Sequence, residues 1–182
     1  MSRASPSLLG VFVAQLDDAY QIAVWWGIDS RARERGIGVV CSVVHRVFCP
    51  IESEAAANVA YRIGDPRTMD GLIVVSFAIA TFLGPEETTG LFATRKGILQ
   101  VSVGLPVPGV PTVTASSAEG VSTVVRHLVR EHGLRRFALI CGRVGHPEAE
   151  ERECSFRATL RIERLEPGPR VSCRVDCSQG GP

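Results

Sequence analysis

Four apolar runs of strand length, spaced so that a helix fits between each pair, constrain this chain more than any other feature. LLGVFVA (Leu8 to Ala14), IGVVCSVV (Ile37 to Val44), GLIVVS (Gly71 to Ser76) and ILQVSV (Ile98 to Val103) contain no charged residue. A strand that reads as a continuous apolar run, rather than as an alternation, is covered on both faces, which is the habit of parallel sheets flanked by helices. The text between the runs supplies those helices. Asp17 or Asp18 is placed to cap the first, along which Gln21, Val24, Trp25, Ile28 and Ala32 form one stripe, and Arg33, Arg35 and Gly36 suit its C-terminal end. A second helix is expected over Glu52 to Ile63, with Ala55, Ala56, Val59, Ala60 and Ile63 inward and Gly64-Asp65-Pro66 as the stop. A third, short one starts at Pro85 and covers Glu86 to Thr94.

Past a Pro/Gly-rich link from Gly104 to Pro111, TVTA is expected to form a short fifth strand. A helix from Ala118 to Glu131 follows with Val121, Val124, Val125, Leu128 and Val129 inward, then a sixth strand from Phe137 to Cys141. Pro147 to Arg164 closes the pattern as an amphipathic helix carrying Phe156 and Leu160, and beyond Leu165 no period is sustained. Strands alternating with helices at this spacing imply right-handed βαβ units and a doubly wound parallel sheet, an α/β Rossmann-like fold. Ligands of such folds sit beyond the C-terminal edge of the strands. The expected organisation is an N-terminal α/β lobe over 8–115, a crossover helix and the start of a second lobe over 116–165, and an irregular tail over 166–182.

Length and composition exclude several classes. A domain of 182 residues buries roughly 70% of its unfolded surface, enough for a true core. A net charge of +1 with 21% charged residues gives no global field to draw the protein to nucleic acid or anionic lipid. MSRASPS leads into only about six apolar residues before Gln15 and Asp17, too few for a signal sequence or a membrane span. The six cysteines are Cys41, Cys49, Cys141, Cys154, Cys173 and Cys177, three of them in apolar strands or a helix, so reduced thiols in a cytoplasmic protein are expected.

The chemical motifs are sparse. Cys41, His45 and Cys49 recur at four-residue spacing and Cys173 and Cys177 add a C-x3-C, but structural zinc sites use tighter knuckles, so the reading is buried thiols and no metal. Gly142-Arg143-Val144-Gly145 could cradle a phosphate between strand and helix, yet it lacks the dinucleotide fingerprint and the Walker lysine and serine. Asp17 and Asp18 could chelate magnesium, though no acid ends the third strand to complete a receiver-type site, and capping accounts for them better. Trp25 and Trp26 point about 100° apart on a helix, one toward the core and one toward solvent or an interface. No nucleophile elbow, activated Cys-His setting or H-E-x-x-H occurs, and Cys141 is read as packing. An enzyme and a resident cofactor are not expected.

Several segments, in order, resemble the family of lactose-type repressors and periplasmic sugar-binding proteins, the type I periplasmic-binding-protein fold. Leu9 to Ala32 offers an apolar strand, a polar loop around Asp17 and Asp18, an aromatic at Tyr20, then Gly27 and Ile28. MDGLIVVS (Met69 to Ser76) is similar to that family's third strand. Pro108 to Leu160 follows with Val-Pro before a strand, Gly120 opening a helix, His127-Leu128 within it, Gly then Arg-Arg into the next strand, and Arg152 four residues before Phe156. The AYQ start of the first helix and the run EHGLRRFALICGRVGHPEAEE look closest to sensory N-terminal domains of bacterial signalling proteins such as histidine kinases and diguanylate cyclases.

The resemblance implies a small-molecule sensor that works by binding and shape change, with a sugar, nucleoside or similar ligand clamped by hinge closure and an output module elsewhere. By position it implies that Tyr20 and Gln21 line the cleft, that Ser76 and Phe77 form the loop after the third strand, and that Arg152 grips ligand hydroxyls or a carboxylate with its planar fork. Ser116 and Ser117 stand where the family often has Asp-Asn, which puts a classical sugar in doubt, and Ser155 replaces a glycine. A homodimer through the first lobe is implied as well. The seven residues before Leu8 cannot supply a helix-turn-helix, so no direct nucleic-acid contact is expected. The first lobe is nearly complete and the second only begun, as in a fragment of a longer product, unless the sixth strand joins the first sheet. A flavodoxin-like cofactor- or phosphate-binding enzyme domain is the alternative, and a truncated chain without function a further one.

Overall fold

The computed structural model describes residues 7–63, 69–95, 97–141 and 146–166. The sequence readings at Gly64-Asp65-Pro66, the Gly142–Gly145 loop, Cys173, Cys177, most of the tail and the side chain of Ile63 lie outside the described residues. The chain divides into two compact units, Met1–Thr114 and Ala115–Pro182.

In the first unit, β1 (Leu8–Val13), β2 (Gly38–Val43), β3 (Gly71–Val74), β4 (Leu99–Val103) and β5 (Thr112–Val113) form one sheet in the order β2-β1-β3-β4-β5, every pair parallel. The four apolar runs therefore lie side by side, as their composition requires. β1 is interior, and Val11, Phe12, Val13 and Ala14 are almost wholly buried beside Leu72, Val74 and Val75 from β3 and its end. Each large side chain removed from water in this way contributes about 1.5–3 kcal/mol.

The first helix, α1 (Ala19–Glu34), starts where Asp18 Oδ1 accepts a 2.8 Å hydrogen bond from Gln21 N, so Asp18 rather than Asp17 is the cap. It ends at Gly36, whose φ of +66° few other residues would adopt without strain. Its inner stripe is the expected one: Gln21 and Ala32 are buried, and Val24, Trp25 and Ile28 pack on the core. Trp26 is 62% exposed.

The second helix departs from expectation. It runs as α2 only over Glu52–Ala57 and then tightens into a 3₁₀ segment, Asn58–Ile63. Ala55 and Ala56 are exposed and Val59 is 65% exposed, whereas Ala60 packs on the core, so only part of the expected apolar face is buried. Two contacts explain the change. Asn58 Nδ2 reaches the carbonyls of Val44 (2.8 Å), Arg46 and Glu54 (both 3.3 Å), pinning the turn to the end of β2. Tyr61 turns into the core instead, edge-on to Phe12 at 5.1 Å and beneath the Arg95 guanidinium at 4.8 Å. Arg95 also donates to the carbonyls of Tyr61 and Leu91. Burial pushes the Tyr61 hydroxyl up and the Arg95 guanidinium down from their ordinary values.

After β3 the chain does not continue as strand through Ser76. Val75 N still donates to Phe12 O at 2.9 Å, and Ser76 then opens a one-turn helix, α3 (Ser76–Ile79). The next helix, α4 (Pro85–Ala93), has Pro85 first, and Gly84 N donates to Glu87 Oε2 at 2.7 Å.

The second unit is built on α5 (Ala118–Arg130) and α6 (Pro147–Ile162). Val125, Val129, Phe156 and Leu160 form its core, with Val121, Phe137, Leu139 and Leu165 packed on it. Val124 faces outward at odds with expectation, and Leu128 is half-buried. Among the described residues the expected sixth strand over Phe137 to Cys141 does not form. Only Ile140 carries a bridge, while Phe137 and Leu139 turn to the helices and Ala138 and Ile140 to solvent. The two-residue alternation of an extended chain is there, but its side chains are satisfied by helix packing.

Arg46 and Glu54 tie α2 to the chain after β2 through a two-pronged ion pair, with Nε to Oε2 at 2.8 Å, and the Arg46 guanidinium lies over the Phe82 ring. The pairing with Arg46 lowers the Glu54 carboxyl below its usual 4.5. A lowered carboxylate stabilises the fold fully above its unfolded pKa, and the contribution is lost as pH falls through the folded value. Glu54→Gln is therefore expected to cost roughly 1.5–3 kcal/mol at neutral pH. It should also flatten the decline of the urea midpoint below about pH 4.5, read from denaturation curves at stepped pH.

Candidate functional site

A parallel sheet in which successive crossovers leave in opposite directions opens a crevice at the point of reversal, beyond the carboxyl ends of the strands. Here that point lies between β1 and β3. The chain leaving β1 runs into α1 with Tyr20 in its first turn, and the chain leaving β3 runs into α3 with Phe77 in its first turn. The two rings meet edge to face, centroids 5.0 Å apart and planes at 90°. Tyr20 is 52% exposed and Phe77 half-buried, so the pair presents aromatic surface at this edge of the sheet.

Gln21 and Ser76, the polar partners expected beside them, are placed differently. Gln21 is 4% exposed, and its Oε1 accepts from Ala14 N (2.9 Å) and Gln15 N (3.2 Å), two amides that leave the sheet ladder as β1 ends. Ser76 is fully buried. Its Oγ accepts from Leu105 N at 3.1 Å and lies 2.7 Å from Ser102 Oγ and 2.9 Å from Val103 O, so its one proton is shared between these two oxygens. Ser102 Oγ donates to Leu105 O at 2.6 Å. These hydroxyls tie the end of β3 to the turn after β4, where Gly104 sits at φ +100° directly against Phe77. A Cβ at Gly104 would come within 2.6 Å of Phe77 Cβ. Ser102, Gly104 and the carboxamide of Gln21 thus set the aromatic pair in place, and the sequence signal for them was slight: a serine in an apolar strand and a glycine after it.

Ser116 and Arg152 belong to the second unit. Ser116 is exposed and its Oγ donates to Glu151 Oε1 at 3.1 Å. Arg152 is half-buried on α6 and pairs with Glu148 at 3.5 Å, one turn earlier. Ser155, in place of the family's glycine, donates to the Ala118 carbonyl at 2.6 Å and joins α6 to the start of α5. Cys41 is half-buried and burial pushes its thiol up, which keeps it protonated and a poor nucleophile. Cys141 is buried, its Sγ 3.5 Å from Glu153 Oε2. Among the described residues no three His, Cys, Asp or Glu side chains gather to hold a metal, and no helix is long and apolar enough to cross a membrane.

This arrangement is the fold of the LacI-type repressors and sugar-binding periplasmic proteins. The transcription regulator CcpA of Lactococcus lactis matches at a TM-score of 0.72 with 16% identity over 93% of this chain. The lac repressor dimer bound to operator and the anti-inducer ONPF matches at 0.69 with 20% identity over 93%. A sugar ABC transport substrate-binding protein from Bordetella parapertussis matches at 0.66 with 18% identity over 92%. The chain spans 59%, 55% and 52% of the length of these three. No protein-family model and no curated protein sequence matches the chain.

Removing the Gln21 carboxamide strips two amides of their acceptor, one of them buried. An unsatisfied buried donor costs about 1–3 kcal/mol, so Gln21→Leu is expected to lower the urea midpoint accordingly. Gly104→Ala combines a left-handed backbone with a collision against Phe77. We expect a loss of roughly 2–3 kcal/mol on the same measurement, together with an altered near-ultraviolet aromatic spectrum.

Proposed function

We propose that this chain is the ligand-binding part of a small-molecule sensor of the repressor and periplasmic-binding type. It works by binding and shape change rather than by catalysis, in the cytoplasm, and passes its signal by hinge closure to an output module. The single observation that carries the reading is the Tyr20–Phe77 pair at the β1/β3 reversal, an aromatic ledge at the position where folds of this kind take their ligands. An aromatic face suits the apolar face of a sugar ring or a nucleobase, and the nearby polar side chains Gln21 and Ser76 hold the ledge in place.

Arg152 and Ser116 are the residues of the second unit assigned to ligand polar groups. The guanidinium would exchange its 3.5 Å pairing with Glu148 for ligand hydroxyls or a carboxylate. Ser116 and Ser117 offer hydroxyls where the family that the chain resembles often has Asp-Asn, which favours a nucleoside or similar ligand over a classical sugar. A homodimer through the first unit is supported by Trp26, a large exposed ring on the outer face of α1.

The same strand order serves flavin binding in flavodoxin-like domains, so flavin mononucleotide belongs in the test. A thermal-shift and calorimetric screen of pentoses, hexoses, nucleosides, amino acids and flavin mononucleotide should yield a hit among the sugars or nucleosides. Tyr20→Ala and Arg152→Ala should each weaken that hit tenfold or more. A hit that binds both variants as well as the parent chain, or flavin as the sole ligand, overturns the reading.

A further inference from the structure

The C-terminal end of α5 carries two histidines that the sensor reading does not use. His127 lies in the last turn of the helix and His132 in the turn that follows, and their Nε2 atoms face each other at 3.1 Å. The rings meet at 77° with centroids 4.9 Å apart, and both side chains are exposed. The backbone holds them there. Glu131 N donates to His127 O, Gly133 N to Val129 O and Leu134 N to Leu128 O, and Gly133 takes φ +64°, so the turn that brings His132 back over His127 is closed by three main-chain bonds.

We propose that His127 and His132 form a two-imidazole site for a late first-row divalent cation such as zinc, nickel or copper. Imidazole nitrogen binds these ions at about 2.0–2.1 Å. Two nitrogens 3.1 Å apart then subtend about 98° at the metal, between the square-planar and tetrahedral angles that these ions prefer. The N–H···N contact requires one ring to donate and the other to accept. Metal binding replaces that proton: both rings take the Nδ1–H tautomer, both Nε2 lone pairs go to the ion, and any proton beyond those two leaves to solvent.

The setting favours a cation in two further ways. The last carbonyls of α5 carry the negative end of the helix dipole. The neighbouring Arg130 guanidinium is turned to Glu163 of α6, with Nη2 to Oε1 at 2.6 Å, so its charge is paired. Among the described residues no third His, Cys, Asp or Glu completes the cluster, so water fills the remaining positions and affinity follows the order of the divalent ions, copper above nickel and zinc. The inference is independent of the ligand reading and concerns the opposite end of α5 from Ser116 and Ser117.

The test is a Zn²⁺ titration of the full chain, labelled with ¹⁵N, followed by long-range imidazole ¹⁵N–¹H spectra at pH 7.5. The Nε2 signals of His127 and His132 should move together and saturate at one equivalent. His132→Gln should weaken the His127 response tenfold or more with the far-ultraviolet circular dichroism unchanged, and His127→Gln should do the same to His132. Because His132 lies outside the helix, the first variant keeps the test valid should the second disturb α5. Independent responses of the two rings, or a midpoint within twofold of the parent in His132→Gln, would overturn the proposal.

Discussion

The first unit depends on keeping both faces of β1 dry. Its amides and carbonyls are matched by β2 on one side and β3 on the other, so the strand can be immersed in apolar surroundings without an orphaned backbone group. That in turn obliges helices to cover both faces, and α1 with its stripe from Gln21 to Ala32 is the chain's answer on one of them. Covering two faces with crossovers of one hand makes the chain reverse direction beside β1. The reversal is thus a consequence of how the core is built.

The loops after β1, β3 and β4 settle polar groups that the sheet leaves over. Strand ends release amides from the ladder, and each must find a partner when it is buried. Gln21 supplies one for Ala14 and Gln15, and Ser76 with Ser102 closes the corresponding gap after β3 and β4. The buried polar side chains leave Tyr20 and Phe77 as the groups that face outward. Two adjacent residues in the chain, Tyr20 and Gln21 or Ser76 and Phe77, point in different directions and so serve different ends.

Much of the fold was legible because its signals are local. Continuous apolar runs mark interior parallel strands, Asp18 and Pro85 mark helix starts, and Gly36 marks a stop, each for a reason contained within a few residues. Where the sequence misled, a distant partner decided. The apolar face expected over Ala55, Ala56 and Val59 lost to Tyr61, which gains Phe12 and Arg95 as neighbours, and to Asn58, which finds the carbonyls at the end of β2. Phe137 to Cys141 has the composition of a strand, but its alternate residues pack on α5 and α6. Of the candidate site, the positions of Tyr20 and Phe77 after β1 and β3 were legible in the sequence, whereas the inward turn of Gln21 and Ser76 was not.

By itself the sequence determined the α/β class and the parallel sheet, since strand composition and helix spacing act over short range. Tertiary structure alone decided the strand order, the burial of Gln21 and Ser76, the meeting of the Tyr20 and Phe77 rings and the facing of His127 and His132. Each of these depends on contacts between residues that the folded backbone brings together, and on which polar groups the ladder leaves in need of a partner.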